Sequence, residues 1–241
     1  MRPRQRAHAV ILSVVIGAAC SNGGSHASSS TTTSSGLPPS ATTTTTGASV
    51  STTLARSATT TTRPRSLAQD RAIARSALLT LKDLPKGSTG TPHVPTPNPA
   101  LAARIARCLN VAIEFVNTDL QPHADSEDFT GPAGQQIQSG IALFATTSLT
   151  ARAIAIYSTP KALTCLGALL APGGVVLHGQ PIPLGSVADG AVGLRFSLGL
   201  TADVLFARRG RALAYLVVIT PAGVDETALL TKMTSRLTAT A

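Results

Sequence analysis

The apolar positions begin to repeat at residue 67. Ser66-Leu67-Ala68-Gln69 has the form of a capping box, a hydroxyl followed three residues later by Gln. Leu67, Ile73, Leu78, Leu79 and Leu81 supply the apolar side of a first helix, which Leu84-Pro85-Lys86-Gly87 should stop. A Pro-rich loop follows, from Thr91 to Pro97. Asn98 and Pro99 then read as the cap and first position of a second helix, with Leu101, Ile105, Cys108 and Leu109 at i, i+4, i+7 and i+8. After an acidic loop from His123 to Asp128, Ile137 to Ala145 reads as a strand. Ser148 to Ile156 and Pro160 to Leu170 read as helices, the second capped by Thr159.

The last third changes period. Val175 to Leu177 and Val192 to Leu198 are candidate strands. Asp203 to Ala207 and Ala212 to Ile219 read as a hairpin turning through Arg208-Arg209-Gly210-Arg211. A closing helix starts near Asp225, with Leu229, Leu230, Met233 and Leu237 on one side. Helices first and hairpins afterwards predict an α+β fold, a mostly antiparallel sheet with helices packed on one face.

Before residue 67 no such pattern exists. All seven aromatic residues lie beyond residue 113, so the first quarter of the chain lacks large side chains for a core. Its start reads as a signal peptide over residues 1–19. Arg2, Arg4 and Arg6 precede the apolar run Ala9 to Ile16, and Gly17-Ala18-Ala19 are small. The run falls short of the roughly 20 residues needed to span a bilayer. Ile16-Gly17-Ala18-Ala19-Cys20 resembles the bacterial lipobox, with Gly17 where a larger aliphatic is usual. Cys20 is therefore the expected lipidation site, anchoring the chain on the outer face of the cell membrane. Ordinary secretion and an uncleaved anchor are the alternatives.

Residues 20–66 read as a disordered tether. From Ser21 to Ser66, 26 of 46 residues are Ser or Thr, with nothing to bury. As a flexible coil it would span about 35–40 Å. Pro38, Pro39 and Pro64 give it the character of an O-glycosylated stalk, although a plain spacer fits as well. Residues 67–241 form the expected extracytoplasmic domain. The net charge of +9 does not signal nucleic acid, because six basic residues precede residue 67. In the rest, 14 basic residues face all 11 acidic ones, a net of +3.

With Cys20 spent on lipid, Cys108 and Cys165 form an even pair in an exported domain. A disulfide is the expectation, with two buried free thiols as the alternative. No catalytic motif of adequate specificity is present, so no enzyme and no cofactor are expected. Asp125, Glu127 and Asp128 beside His123 could hold a divalent cation, but they lack calcium-loop spacing and read better as a solvated loop, so no metal site is expected. His178 reads as a surface or core histidine. Arg208, Arg209 and Arg211 at the hairpin tip are candidates for gripping an anionic lipid headgroup or glycan, or are simply a solubilising turn.

The helix ending in Leu79-Thr80-Leu81-Lys82-Asp83-Leu84-Pro85-Lys86-Gly87, the helices carrying Cys108 and Cys165, and the Val204-Leu205-Phe206-Ala207-Arg208-Arg209-Gly210-Arg211 hairpin together resemble a group of actinobacterial surface lipoproteins and sensor domains. The plan is most similar to the PknH-type extracellular sensor domain, and also to LpqN-type lipoproteins with a PsbP-like fold. Ser88 stands where these proteins often carry an aromatic. The resemblance covers about residues 67–241 and implies an α/β sandwich with extracytoplasmic binding or sensing. The expected function is non-enzymatic binding of an apolar or amphiphilic envelope ligand. The alternative is a stalk-presented module that contacts a protein partner.

Overall fold

The capping box at Ser66 forms as its sequence suggests. Ser66 Oγ accepts from the Gln69 N–H at 3.2 Å, and Gln69 Oε1 accepts from the Ser66 N–H at 2.8 Å. It opens α1 (Leu67–Ser76) in a computed structural model that describes residues 65–95, 98–170, 177–197 and 200–237. The proposed signal peptide, Cys20 and the tether up to Pro64 lie outside the described residues.

α1 ends earlier than its apolar spacing predicts. Leu79 leaves the helical path for the core, where it is 3 % exposed, and Leu81–Asp83 form one 3₁₀ turn. A second capping box favours the break, with Asp83 Oδ2 accepting from both the N–H and the hydroxyl of Thr80. The freed Leu78 carbonyl accepts from Arg236 Nη1 at 2.7 Å, so its lost helical partner is replaced.

Four further helices follow: α2 (Pro99–Leu109), α3 (Thr147–Tyr157), α4 (Pro160–Leu170) and α5 (Glu226–Arg236). Their caps are the residues the sequence marks, Asn98, Thr159 and Asp225, except at α3. There Thr146 accepts from the Leu149 N–H and starts the helix one residue before Ser148.

The strands are β1 (Thr89–Thr91), β2 (His123–Asp125), β3 (Asp128–Thr130), β4 (Gln136–Leu143), β5 (His178–Ile182), β6 (Ala191–Ser197), β7 (Thr201–Arg209) and β8 (Ala212–Ile219). They form one antiparallel sheet in the order β1-β3-β4-β8-β7-β6-β5, with β2 beside β3 along the same edge of β4. The expected α+β class with a mostly antiparallel sheet is the one observed. The expected acidic loop from His123 to Asp128 instead supplies β2 and the start of β3. The strand expected at Val175–Leu177 lies mostly outside the described residues, and β5 starts at His178.

Helices cover both faces of the sheet, which corrects the expectation of one covered face. Along β8, Ala212, Ala214, Leu216 and Val218 pack with Ala74 of α1 and Leu229, Leu230 and Met233 of α5. The alternate residues Leu213, Tyr215 and Val217 pack with Leu101 and Ile105 of α2, Ile154 and Tyr157 of α3, and Cys165 and Leu166 of α4. Every residue of β8 is buried, as a strand sandwiched between two helical layers requires. Cys108 and Cys165 are joined in a disulfide that staples α2 to α4. Cys165 is buried, whereas Cys108 is exposed rather than on the apolar side of its helix. No helix among the described residues is long and apolar enough to cross a membrane.

Candidate functional site

An aspartate buried within a strand must find a partner or remain protonated. Asp203 on β7 is fully buried, and it lies in register with Arg195 on β6. Arg195 Nε donates to Asp203 Oδ1 at 2.7 Å and Nη2 donates to Oδ2 at 2.5 Å, a bidentate pair. The guanidinium reaches solvent on its outer side, with a side-chain exposure of 35 %.

The third member comes from the start of α5. Asp225 caps that helix through its Oδ1 and the Ala228 N–H, 2.9 Å apart. Glu226 follows, and its side chain lies in the field of Asp203, Arg195 and Asp225. Burial first, and the neighbouring Asp203 second, push the Glu226 carboxyl up to about 7. Its Oε1 is buried and has no hydrogen-bond donor among the described residues. An acceptor facing another carboxylate is satisfied only if it carries a proton or if a donor arrives from elsewhere.

Arg195 and Glu226 border an open cleft of about 670 Å³ between the end of β6, the start of β7 and the segment joining β8 to α5. Leu200, Pro221 and Val224 give the cleft an apolar side, and Ser197, Thr201 and Thr220 give it hydroxyls. The joining segment is held in place. The Thr220 N–H donates to the Thr201 carbonyl at 2.7 Å, and Gln135 Nε2 donates to the Ala222 carbonyl at 2.8 Å. Thr220 has φ 57°, a left-handed conformation unfavourable for a β-branched residue, at the rim of the cleft.

The residues singled out in the sequence go elsewhere. Arg211 turns inward, with Nη2 donating to Asp70 Oδ1 at 2.8 Å and Nη1 to the Phe144 carbonyl at 3.0 Å. Only Arg208 and Arg209 of the three hairpin arginines are then left for an anionic ligand, and they alternate along β7 onto opposite faces. The acidic residues separate as well. His123 Nε2 lies 3.0 Å from Asp119 Oδ1 and 3.7 Å from Asp125 Oδ2, while Asp128 Oδ1 lies 2.8 Å from His93 Nδ1 and Glu127 is exposed. No three His, Cys, Asp or Glu side chains among the described residues are arranged to hold a metal ion. His178 is exposed on β5 and makes no side-chain hydrogen bond among the described residues. The sequence reading missed the Arg195, Asp203 and Glu226 grouping. Its one available signal was a charge of each sign inside two apolar strands.

The sequence matches no protein-family model, and no curated protein matches it. Among solved structures, the extracellular domain of PknH from Mycobacterium tuberculosis is similar, with a TM-score of 0.41 and 8 % identity, over 69 % of this chain and 95 % of that one.

Proposed function

We propose that this chain is a tethered extracytoplasmic binding module, anchored at the outer face of the cell membrane through lipid on Cys20, with the cleft over Glu226 as its ligand site. The observation that carries the reading is a buried carboxyl oxygen without a donor among the described residues, beside an open cleft of about 670 Å³. A volume of that order suits a small ligand. The mixed lining suits an amphiphilic one, its apolar part against Leu200, Pro221 and Val224 and its polar part over Arg195 and Glu226. The disulfide fits an oxidising compartment, in keeping with the export signal read at residues 1–19.

The same geometry favours binding over catalysis. Two neighbouring carboxyls would suit acid–base work only if a substrate could reach both. Asp203 is fully buried and Arg195 engages both of its oxygens, so it is closed to substrate.

Two measurements test the proposal on protein expressed with its signal in a lipoprotein-processing bacterium. Intact-mass analysis should find a diacylglyceryl group on Cys20, and Cys20→Ala should release the protein from membranes. Native mass spectrometry should find a co-purifying amphiphile that is lost in Leu200→Arg, a substitution at an exposed rim position. An amphiphile retained by Leu200→Arg would move the ligand site away from the cleft. A mature protein without lipid that does not sediment with membranes would overturn the anchor.

A further inference from the structure

We infer that the cleft selects a ligand carrying a positively charged nitrogen, a primary ammonium, over one headed by a carboxylate or a hydroxyl. The inference rests on the cleft being the ligand site and adds the chemistry of the headgroup.

Charge and hydrogen-bond capacity at the cleft floor carry it. The charged groups facing Glu226 are Asp203 on β7, Arg195 on β6 and Asp225 at the start of its own helix. Arg195 would be the natural receptor for an anion, but its Nε and Nη2 are engaged by Asp203 and its charge is offset there. With Glu226 ionised, Glu226 and Asp225 have no ion-pair partner among the described residues, so the floor is acidic. An anionic headgroup meets net repulsion.

A metal ion fits no better. Asp203 has both oxygens bound to Arg195 and no exposed surface, and Asp225 Oδ1 is taken by the Ala228 N–H, so neither is free to share a divalent cation with Glu226. What the floor lacks is a donor for Glu226, whose Oε1 has none among the described residues. Asp203 and Asp225 flank Glu226 with acceptors, and Glu226 lines the cleft, so a donor entering the cleft meets its carboxyl. A hydroxyl would supply a donor without a charge. An ammonium supplies up to three donors and the missing charge. Leu200, Pro221 and Val224 would cover the hydrocarbon that the nitrogen terminates.

Binding then competes with the proton. Burial and Asp203 hold the Glu226 carboxyl near 7, so its anion becomes available only as the pH rises through that value. An ammonium ligand should bind more tightly at pH 8 than at pH 5.5, by about thirtyfold. A neutral ligand should show no such dependence.

The test uses residues 20–241 with Cys20→Ser and three probes of equal chain length: hexylammonium, hexanol and hexanoate. Saturable NMR shifts are followed at the backbone amides of residues 200–203 and 222–228. Hexylammonium is expected to bind tightest, with the stated gain at pH 8, and Glu226→Gln should abolish both its preference over hexanol and its pH dependence. The pH comparison uses the unsubstituted cleft and so does not depend on how the variant folds. Tighter binding of hexanol or hexanoate at those amides would overturn the ammonium inference and leave the cleft as the site. Hexylammonium binding that ignores both pH and Glu226→Gln would do the same. No saturable shift from any probe would overturn the cleft reading beneath it.

Discussion

Gly140 on β4 lies directly opposite Tyr215 on β8, and the phenol ring occupies the space where a Cβ at residue 140 would be. The ring crosses the glycine so that the Tyr215 hydroxyl donates to Asp125 Oδ1 on β2, and Asp125 is itself in register with Gly140 from the other side. Three strands are thus joined over a position that admits no side chain.

Gly140→Ala must therefore displace a ring that is 1 % exposed and packed among Leu213, Val217 and the α3 side chains. The expected loss is about 3 kcal/mol, the upper part of the range for overpacking, read as a lower urea midpoint with unchanged m. Tyr215→Phe keeps the ring and removes only the hydroxyl, and should cost about 1–2 kcal/mol. If Gly140→Ala proved the milder of the two, the ring would not be fixed over the glycine.

The Cys108–Cys165 disulfide spans 57 residues, and loop closure of that length gives a stabilisation of about 4 kcal/mol. Because Cys108 is exposed, dithiothreitol should reach the bond without prior unfolding. Calorimetry of the reduced protein, or of the Cys108→Ser, Cys165→Ser pair, is expected to show Tm lowered by about 10 °C. A transition that reductant leaves in place would mean that α2 and α4 hold together without the bond.

The hairpin arginines should divide sharply in a stability scan. Arg211→Ala leaves the Asp70 carboxylate buried without its cation and the Phe144 carbonyl without that donor, which should cost about 2–3 kcal/mol. The Arg209 side chain makes no hydrogen bond or ion pair among the described residues, and Arg209→Ala should stay within about 0.5 kcal/mol of the parent. Equal losses from the two substitutions would show that the Arg211–Asp70 bridge contributes little.

Much of the fold was legible before the structure, and the reasons differ from element to element. Helix ends were carried by local chemistry, so Ser66 with Gln69, Asn98 with Pro99, and Asp225 mark true boundaries. The second helical layer was missed although Ala212 to Ile219 runs apolar without alternation, the mark of a strand covered on both sides. Strands β1, β2 and β3 have three residues each, too few for any period to show, and tertiary pairing alone defines them. The candidate site was the least legible part. Arg195, Asp203 and Glu226 sit on three different elements, and Glu226 reads locally as an ordinary acidic residue in the first turn of a helix. Conversely, Arg211 looked free because a turn arginine gives no local sign of a carboxylate 141 residues away.

The pH dependence of stability should carry two opposite limbs. Burial and Asp203 raise the Glu226 carboxyl from 4.5 to about 7, so between those values the folded chain holds a proton that the unfolded chain has released. Stability from this group is full below 4.5 and is lost as pH rises toward 7. His123 acts in the same direction. Its hydrogen bond to Asp119 raises its pKa against the effect of burial, so its contribution is full below 6.5 and declines as pH rises through the folded value. Asp83 acts oppositely. Burial would raise its pKa, but the Arg236 guanidinium and the Thr80 donors outweigh this and hold it well below the ordinary 3.8. Its contribution is present above 3.8 and lost on acidification. Urea titrations across pH should therefore show stability highest near pH 4–5 and falling on both sides. Glu226→Gln should flatten the decline between 4.5 and 7, which is bounded by about 1.4 kcal/mol per pH unit and reduced further by the group's partial exposure. Arg236→Ala should weaken the acid limb instead. A decline that Glu226→Gln leaves as steep as before would place the raised proton affinity on some other group.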